Sequence, residues 1–309
     1  MAAAFTARDL VTDNDLNPSG VRLVLDLAAR MRKAPGEYSR ALAGRMLALL
    51  FEKPSLRTRV TFEVAMKSMG GDSIYIDCRS ERLGEREPVS DVARNLDRWV
   101  SGIIARVFEQ QTVDELAAWS SVPVINALSD LYHPCQAVAD MQTVKEKFGD
   151  FRGLKLAFVG DGNNVAHSLM LSATRLGMDF ALACPKGYEP NPEIVAQAEG
   201  LAATTGASLL VTSDASAALN GAHAVYTDVW ASMGQEKEAG ERRRAFQPYQ
   251  VNDELFAAAR PDAIFMHCLP AKRGEEVTDS VIECGRSVVF DQAENRLHAQ
   301  KALLLMMLT

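Results

Sequence analysis

The sequence predicts an α/β protein of two domains, each an open parallel sheet with flanking helices, with the active site expected in the crevice between them. Three observations predict it. Short β-type runs alternate with helix-type runs along almost the whole chain, the pattern of parallel strands joined by crossover helices. The β-type runs are compact and apolar throughout, as strands covered on both faces must be. The 309 residues also exceed what one hydrophobic core usually serves, so two domains of about 150 residues each are expected.

Taken in order, Asn17-Pro18-Ser19 offers a cap and an early proline for a first helix, whose apolar stripe is Leu23, Leu27, Ala28 and Met31. The first half then reads as strands at Met46–Phe51, Ser73–Ile76, Gly102–Val107 and Pro123–Asn126. The second half offers Leu154–Val159, Phe180–Cys184, Ser208–Val211, Ala224–Thr227, Ala263–His267 and Val288–Phe290. A long helical segment, His133 to Phe148, separates the two sets, which places the junction near Gly149-Asp150 and the domains at 1–148 and 149–290. Asp291 to Leu308 reads as a final helix that returns to the first domain. The stretch Gly234 to Arg244 is so charged that it reads as a mobile surface loop, either a lid or simply solvated.

The balance of residues excludes several classes. Nearly half are apolar and a quarter charged, the profile of a globular enzyme rather than a disordered chain. A net charge of −7 argues against a general nucleic-acid binder. The longest apolar run, Ala302 to Leu308, is far short of the roughly 18 residues a membrane span needs, and Met1 to Leu10 lacks the form of a signal peptide. The five cysteines, Cys78, Cys135, Cys184, Cys268 and Cys284, are scattered in neither a disulfide nor a zinc pattern. A reducing cytoplasm is the expected compartment.

Five segments can carry chemistry. Phe51 to Arg59 follows a strand and opens a helix with apolar face Val60, Val64 and Met69. Unpaired backbone N–H groups there would join the hydroxyls of Ser55 and Thr58 and the Arg57 guanidinium in holding a phosphate; a capped helix with surface arginines reads equally well. Arg106 ends a strand, where an open α/β sheet faces its ligand. His133-Pro134-Cys135-Gln136 sets a histidine at a helix entrance with an amide one turn on, a pair able to polarise a carbonyl oxygen. Gly160-Asp161-Gly162-Asn163-Asn164 begins like a dinucleotide fingerprint, but Val165 stands at its third glycine and no acid closes the next strand. A tight turn presenting asparagines is the better reading. Asp228 to Gly234 and His267-Cys268-Leu269-Pro270 both follow strands of the second half. Asp228 with Ser232 suits a cationic amine, and Cys268 is either a polar contact or a buried thiol.

Together these segments resemble the ornithine carbamoyltransferases. That family's S-x-R-T-R stands here as Ser55 to Arg59, its H-P-x-Q as His133 to Gln136, its D-x-x-x-S-M-G as Asp228 to Gly234, its H-C-L-P as His267 to Pro270 and its E-N-R as Glu294 to Arg296. The resemblance implies that Ser55, Arg57, Thr58, Arg106 and the Leu56 backbone hold the phosphate of carbamoyl phosphate. Thr58, Arg106, His133 and Gln136 would grip the carbamoyl oxygen, with Arg296 reaching the donor from the last helix. Asn164, Asp228, Ser232 and Met233 would hold ornithine, with Cys268 and Leu269 beside its δ-amine and the carbamoyl nitrogen. It further implies a cis Leu269-Pro270 peptide, arginine biosynthesis with citrulline as product, and a homotrimer, stacked in some members into larger assemblies. Leu56 departs from the usual threonine. Arg82 stands where some members carry a glutamine that reaches the neighbouring subunit, a candidate trans contact.

The expected mechanism is direct attack of the deprotonated δ-amine on the carbonyl carbon through a tetrahedral intermediate, with no metal or organic cofactor. Aspartate carbamoyltransferase is the nearest rival, but Asp72 to Val89 lacks the lysine its trans loop would offer, and Asp228 favours a cation over a dicarboxylate. Putrescine and acetylornithine enzymes stay open as alternatives, because substrate choice among them turns on loop geometry. A nicotinamide dehydrogenase or a non-catalytic phosphate-binding module are the readings from other classes.

Overall fold

The structure, a computed structural model, describes residues 8–232 and 234–309. The chain divides into two compact units, Met1–Gln142 with Glu294–Thr309, and Thr143–Ala293.

The first unit opens with helix α1 (Pro18–Lys33), capped by Asn17, whose side chain accepts from Gly20 N at 2.7 Å. Strands and helices then alternate: β1 (Met46–Phe51), α2 (Leu56–Ser68), β2 (Asp72–Asp77), α3 (Val89–Leu96), β3 (Gly102–Arg106), α4 (Gln110–Trp119) and β4 (Val124–Leu128). The strands form a parallel sheet in the order β2-β1-β3-β4. Ala48, Leu50, Ile103, Ala105, Val113, Leu116 and Val124 are buried in one cluster that packs α3 and α4 on this sheet. The chain leaves the unit within α5 (Pro134–Phe148).

The second unit continues with β5 (Lys155–Val159), α6 (Asn164–Leu176), β6 (Asp179–Ala183), α7 (Pro192–Thr205), β7 (Leu209–Thr212), α8 (Ala215–Leu219) and β8 (Ala224–Thr227). Helix α9 (Ala239–Phe246), α10 (Asp253–Phe256), β9 (Ile264–His267) and α11 (Asp279–Ile282) complete it. Its parallel sheet runs β7-β6-β5-β8-β9. The chain returns to the first unit within α12 (Val289–Leu308). In each sheet the chain builds outward one way and then the other, so strand order reverses between β1 and β3 and between β5 and β8. Such switch points are where open α/β sheets bind ligands.

Three expectations are corrected. Val288–Phe290 is not a strand: Ser287 makes a single bridge to Phe265, and α12 starts at Val289. The charged stretch 234–244 is not a plain loop; it contains a 3₁₀ turn at Glu236–Glu238 and most of α9, and Arg242 is buried within it. On α2 the buried face is Thr58, Phe62, Ala65 and Met66, with Met69 buried just beyond, whereas Val60 and Val64 are 46% and 42% exposed. The helix carries two apolar stripes, and the aromatic one faces the sheet.

Candidate active site

In the first unit the predicted residues gather at the carboxyl ends of three adjacent strands. After β1 the chain turns through Glu52-Lys53-Pro54 into Ser55, which caps α2 by accepting the Thr58 backbone N–H at 3.3 Å. This leaves Leu56 and Arg57 in the first turn of α2, whose early N–H groups and positive dipole end favour an anion. Glu52 is buried and ties the neighbourhood together: its carboxylate accepts from Leu83 N at 3.0 Å and Phe108 N at 2.8 Å. Arg106 closes β3, and the pairing with β4 shifts register between Ala105 and Arg106. An irregularity of this kind re-aims a side chain at the sheet's end.

His133 follows β4 at the entrance of α5, and its carbonyl accepts from Gln136 N. Burial first, then the charges of Arg296 and Arg106, hold its imidazole well below the usual histidine range, so the ring is neutral. Gln136 Nε2 donates to Asp140 at 2.8 Å, which fixes the amide so that Oε1 accepts from Arg296 Nη1. The same guanidinium donates from Nη2 to Thr58 Oγ1 at 3.1 Å. Arg296 therefore joins the starts of α2 and α5 through one planar fork. Lys53, only 8% exposed, lies 4.4 Å over the Phe108 ring, and burial together with Arg106 lowers its pKa to about 8. Arg82 stacks on the same ring at 3.9 Å, within its own chain.

In the second unit the sites again follow adjacent strands, β5, β8 and β9. Asn163 caps α6 through Oδ1, accepting from Val165 N and Ala166 N, while its Nδ2 donates to Asp228 Oδ2 at 3.0 Å. Cys268 Sγ donates to Asp228 Oδ1 at 3.0 Å. Asp228 thus stands at the β5/β8 switch point with an amide on one oxygen and a thiol on the other. Asn164 begins α6, and Ser232 N donates to Gln235 Oε1 at 3.0 Å. Met233 lies outside the described residues. Leu269 adopts φ 57, and the Leu269–Pro270 peptide is cis.

The two glycines of Gly160-Asp161-Gly162 do different work: Gly160 adopts φ 149, and a Cβ on Gly162 would lie 2.3 Å from Pro190 N. Asp161 pairs with Arg242 Nη1 at 2.8 Å, and Arg242 also donates to the Trp230 carbonyl. That buried pair and Asn163 escaped the sequence reading as partners, although Asn163 adjoins the predicted Asn164. Asp228, His267 and Cys268 offer ligand atoms within 4.8 Å of one another. Both ring nitrogens of His267 are already engaged, by Leu269 N and by Glu276, so this trio presents no vacant imidazole to a cation.

Each unit thus carries a cluster of polar side chains at its own sheet's switch point, cationic at a helix start in the first and acidic in the second, in a two-domain α/β protein. The comparisons give it a family. Residues 8–146 match the carbamoyl-P binding domain and residues 152–307 the Asp/Orn binding domain of aspartate/ornithine carbamoyltransferases, and the chain belongs to this enzyme family. An ornithine carbamoyltransferase of Thermococcus kodakarensis is 51% identical over 306 residues, covering 98% of this chain and 97% of the relative. The anabolic ornithine carbamoyltransferase of Pyrococcus furiosus is 50% identical over 98% of this chain and 97% of its own. A solved ornithine carbamoyltransferase from Pyrococcus furiosus superimposes with a TM-score of 0.93 at 51% identity, covering 96% of both chains; one from Thermus thermophilus gives 0.88 at 48%, covering 98% of this chain and 99% of that one. Among the described residues, no helix is long and apolar enough to cross a membrane.

Proposed function

We propose that the chain transfers the carbamoyl group of carbamoyl phosphate to the δ-amine of L-ornithine, giving L-citrulline and phosphate. The observation that carries the choice of acceptor is Asp228, a carboxylate fixed at the β5/β8 switch point with Cys268 Sγ at 3.0 Å. An acid at that place draws a cationic amine and repels the side chain of aspartate. The full-length likeness to ornithine carbamoyltransferases supports the same choice.

In this reading the first turn of α2, with Ser55, Arg57 and Thr58, receives the phosphate, helped by Arg106. Neutral His133, Gln136 and Arg296 face the carbamoyl oxygen as hydrogen-bond donors. Asn164, Asp228, Ser232 and Met233 receive ornithine, and Cys268 and Leu269 lie beside the reacting nitrogen. The amine loses its proton and attacks the carbonyl carbon, the C–N bond forms, and negative charge builds on the carbonyl oxygen. Collapse of the tetrahedral species breaks the C–O bond, the attacking nitrogen gives up its remaining extra proton to the departing phosphate, and phosphate leaves with its charge stabilised by the arginines and the helix end.

We infer a homotrimer acting in arginine biosynthesis in a reducing cytoplasm, where the five free cysteines would persist. Leu56, Val60 and Val64, 74%, 46% and 42% exposed, form a stripe at helical spacing on α2. An apolar stripe beside the phosphate site is the surface a second copy would cover.

A colorimetric citrulline assay with ornithine, putrescine, acetylornithine and aspartate as acceptors tests the reading. Ornithine should be preferred; no ureido product from ornithine in a folded protein sinks it.

A further inference from the structure

Beside the acceptor half-site lies a buried pair that the mechanism leaves unused. His267 ends β9 and immediately precedes Cys268. Its side chain and that of Glu276 are both fully buried. The Leu269 backbone N–H donates to His267 Nδ1 at 2.8 Å, and Nε2 lies 3.2 Å from Glu276 Oε1. Because Nδ1 accepts, the ring proton sits on Nε2, and His267 donates it to Glu276.

Glu276 is anchored in turn: Oε1 also accepts from Lys272 N, and its backbone carbonyl accepts from Val251 N at 2.9 Å. Oε2 has no hydrogen-bond partner. A buried carboxyl group with one oxygen unsatisfied costs stability, and an apolar side chain of similar volume would avoid that cost. What the pair holds explains it better than packing does. Leu269 sits at φ 57, a region unfavourable for any residue with a Cβ, and it stays there with its N–H donated to the imidazole two residues back. A carboxylate on the far nitrogen strengthens the near one as an acceptor and fixes the ring's orientation.

We propose that Glu276 is a positioning residue for carbamoyl transfer: through His267 it holds the Cys268–Leu269 turn, keeping Cys268 Sγ against Asp228. The inference rests on the functional reading above, and its test has a readout independent of activity. Purified full-length protein is alkylated with iodoacetamide, and the rates at Cys268 and at the partly exposed Cys284 are followed by peptide mass mapping. Glu276→Ala should accelerate Cys268 about tenfold while lowering kcat by a similar factor, with carbamoyl phosphate affinity within about twofold of wild type. If the alanine variant does not fold, Glu276→Gln, which keeps the shape and removes the charge, should still accelerate Cys268 by about threefold or more. Cys268 alkylation unchanged in the glutamine variant, or equal acceleration at Cys284, overturns the proposal. Failure of the functional reading shows separately, as wild-type protein that makes no citrulline while the alkylation difference persists.

Discussion

Asp228 Oδ1 accepts a hydrogen bond from Cys268 Sγ at 3.0 Å, across two neighbouring parallel strands and 40 residues of sequence. Asp228 Oδ2 is held by Asn163 Nδ2. The carboxylate is therefore fixed before any substrate arrives, and the thiol is its donor.

The first prediction follows from that order of roles. Asp228→Asn removes the pull on the amine and should raise the ornithine KM by about tenfold or more, the equivalent of ~1.4 kcal/mol, while carbamoyl phosphate affinity stays unchanged. Cys268→Ser leaves a hydroxyl able to donate to Asp228 and should keep much of the turnover. Steady-state kinetics with each substrate varied separates these outcomes. Total loss of activity in a folded serine variant, with a trapped carbamoyl-enzyme, would instead show covalent catalysis by the thiol.

The second concerns the phosphate end. Arg57→Ala should weaken carbamoyl phosphate by about 2–5 kcal/mol, the cost of truncating one side of a desolvated charge pair. Arg296→Lys should also weaken it, because a single ammonium cannot serve Thr58 and Gln136 together as the fork does. Calorimetry on both variants checks this, and binding within threefold of wild type for Arg57→Ala would remove the phosphate assignment.

How far the sequence reached can be judged from single residues. The placement of Arg106 at the end of a compact apolar strand, and of His133 and Asp228 after such strands, was legible from the parallel-sheet pattern, and strand ends are where such folds bind. Val288–Phe290 misled because a short apolar run looks the same whether it ends as a strand or opens a helix. Val60 and Val64 misled because periodicity finds an apolar stripe without saying which of two stripes the sheet takes. Arg242 lay hidden in a charged run, since its partner Asp161 is 81 residues away. His267 opens the H-C-L-P motif, but no motif spacing announces its pairing with Glu276; only the turn after β9 brings the two together.

A third prediction uses the exposed stripe. Val60→Glu with Val64→Glu should leave the fold intact, because both positions are solvent-facing and such changes usually shift stability by less than about 0.5 kcal/mol. If the proposed homotrimer uses this stripe, the same changes should dissociate it, seen as a fall in mass by sedimentation velocity. A doubly substituted protein that stays trimeric would place the subunit contact elsewhere.

The last prediction turns on His133. Its folded pKa is depressed, by burial first and then by Arg296 and Arg106, whereas the unfolded chain should titrate near ~6.5. Above that pH both states are neutral and the stability is fully present. As pH falls below it, the unfolded chain takes up a proton that the folded one refuses, so stability is lost at up to ~1.4 kcal/mol per pH unit until the folded pKa is reached. Melting temperatures should therefore drop more steeply between pH 6.5 and 5 in wild type than in His133→Gln, which keeps an amide donor but cannot titrate. Activity should show no inflection near 6.5, because the imidazole stays neutral throughout, and should climb toward alkaline pH as more ornithine (δ-amine near ~10.4) loses its proton. An inflection near pH 6.5 in the wild-type rate profile that is absent from His133→Gln would mean that His133 titrates in the folded enzyme, and the neutral-donor role would be wrong.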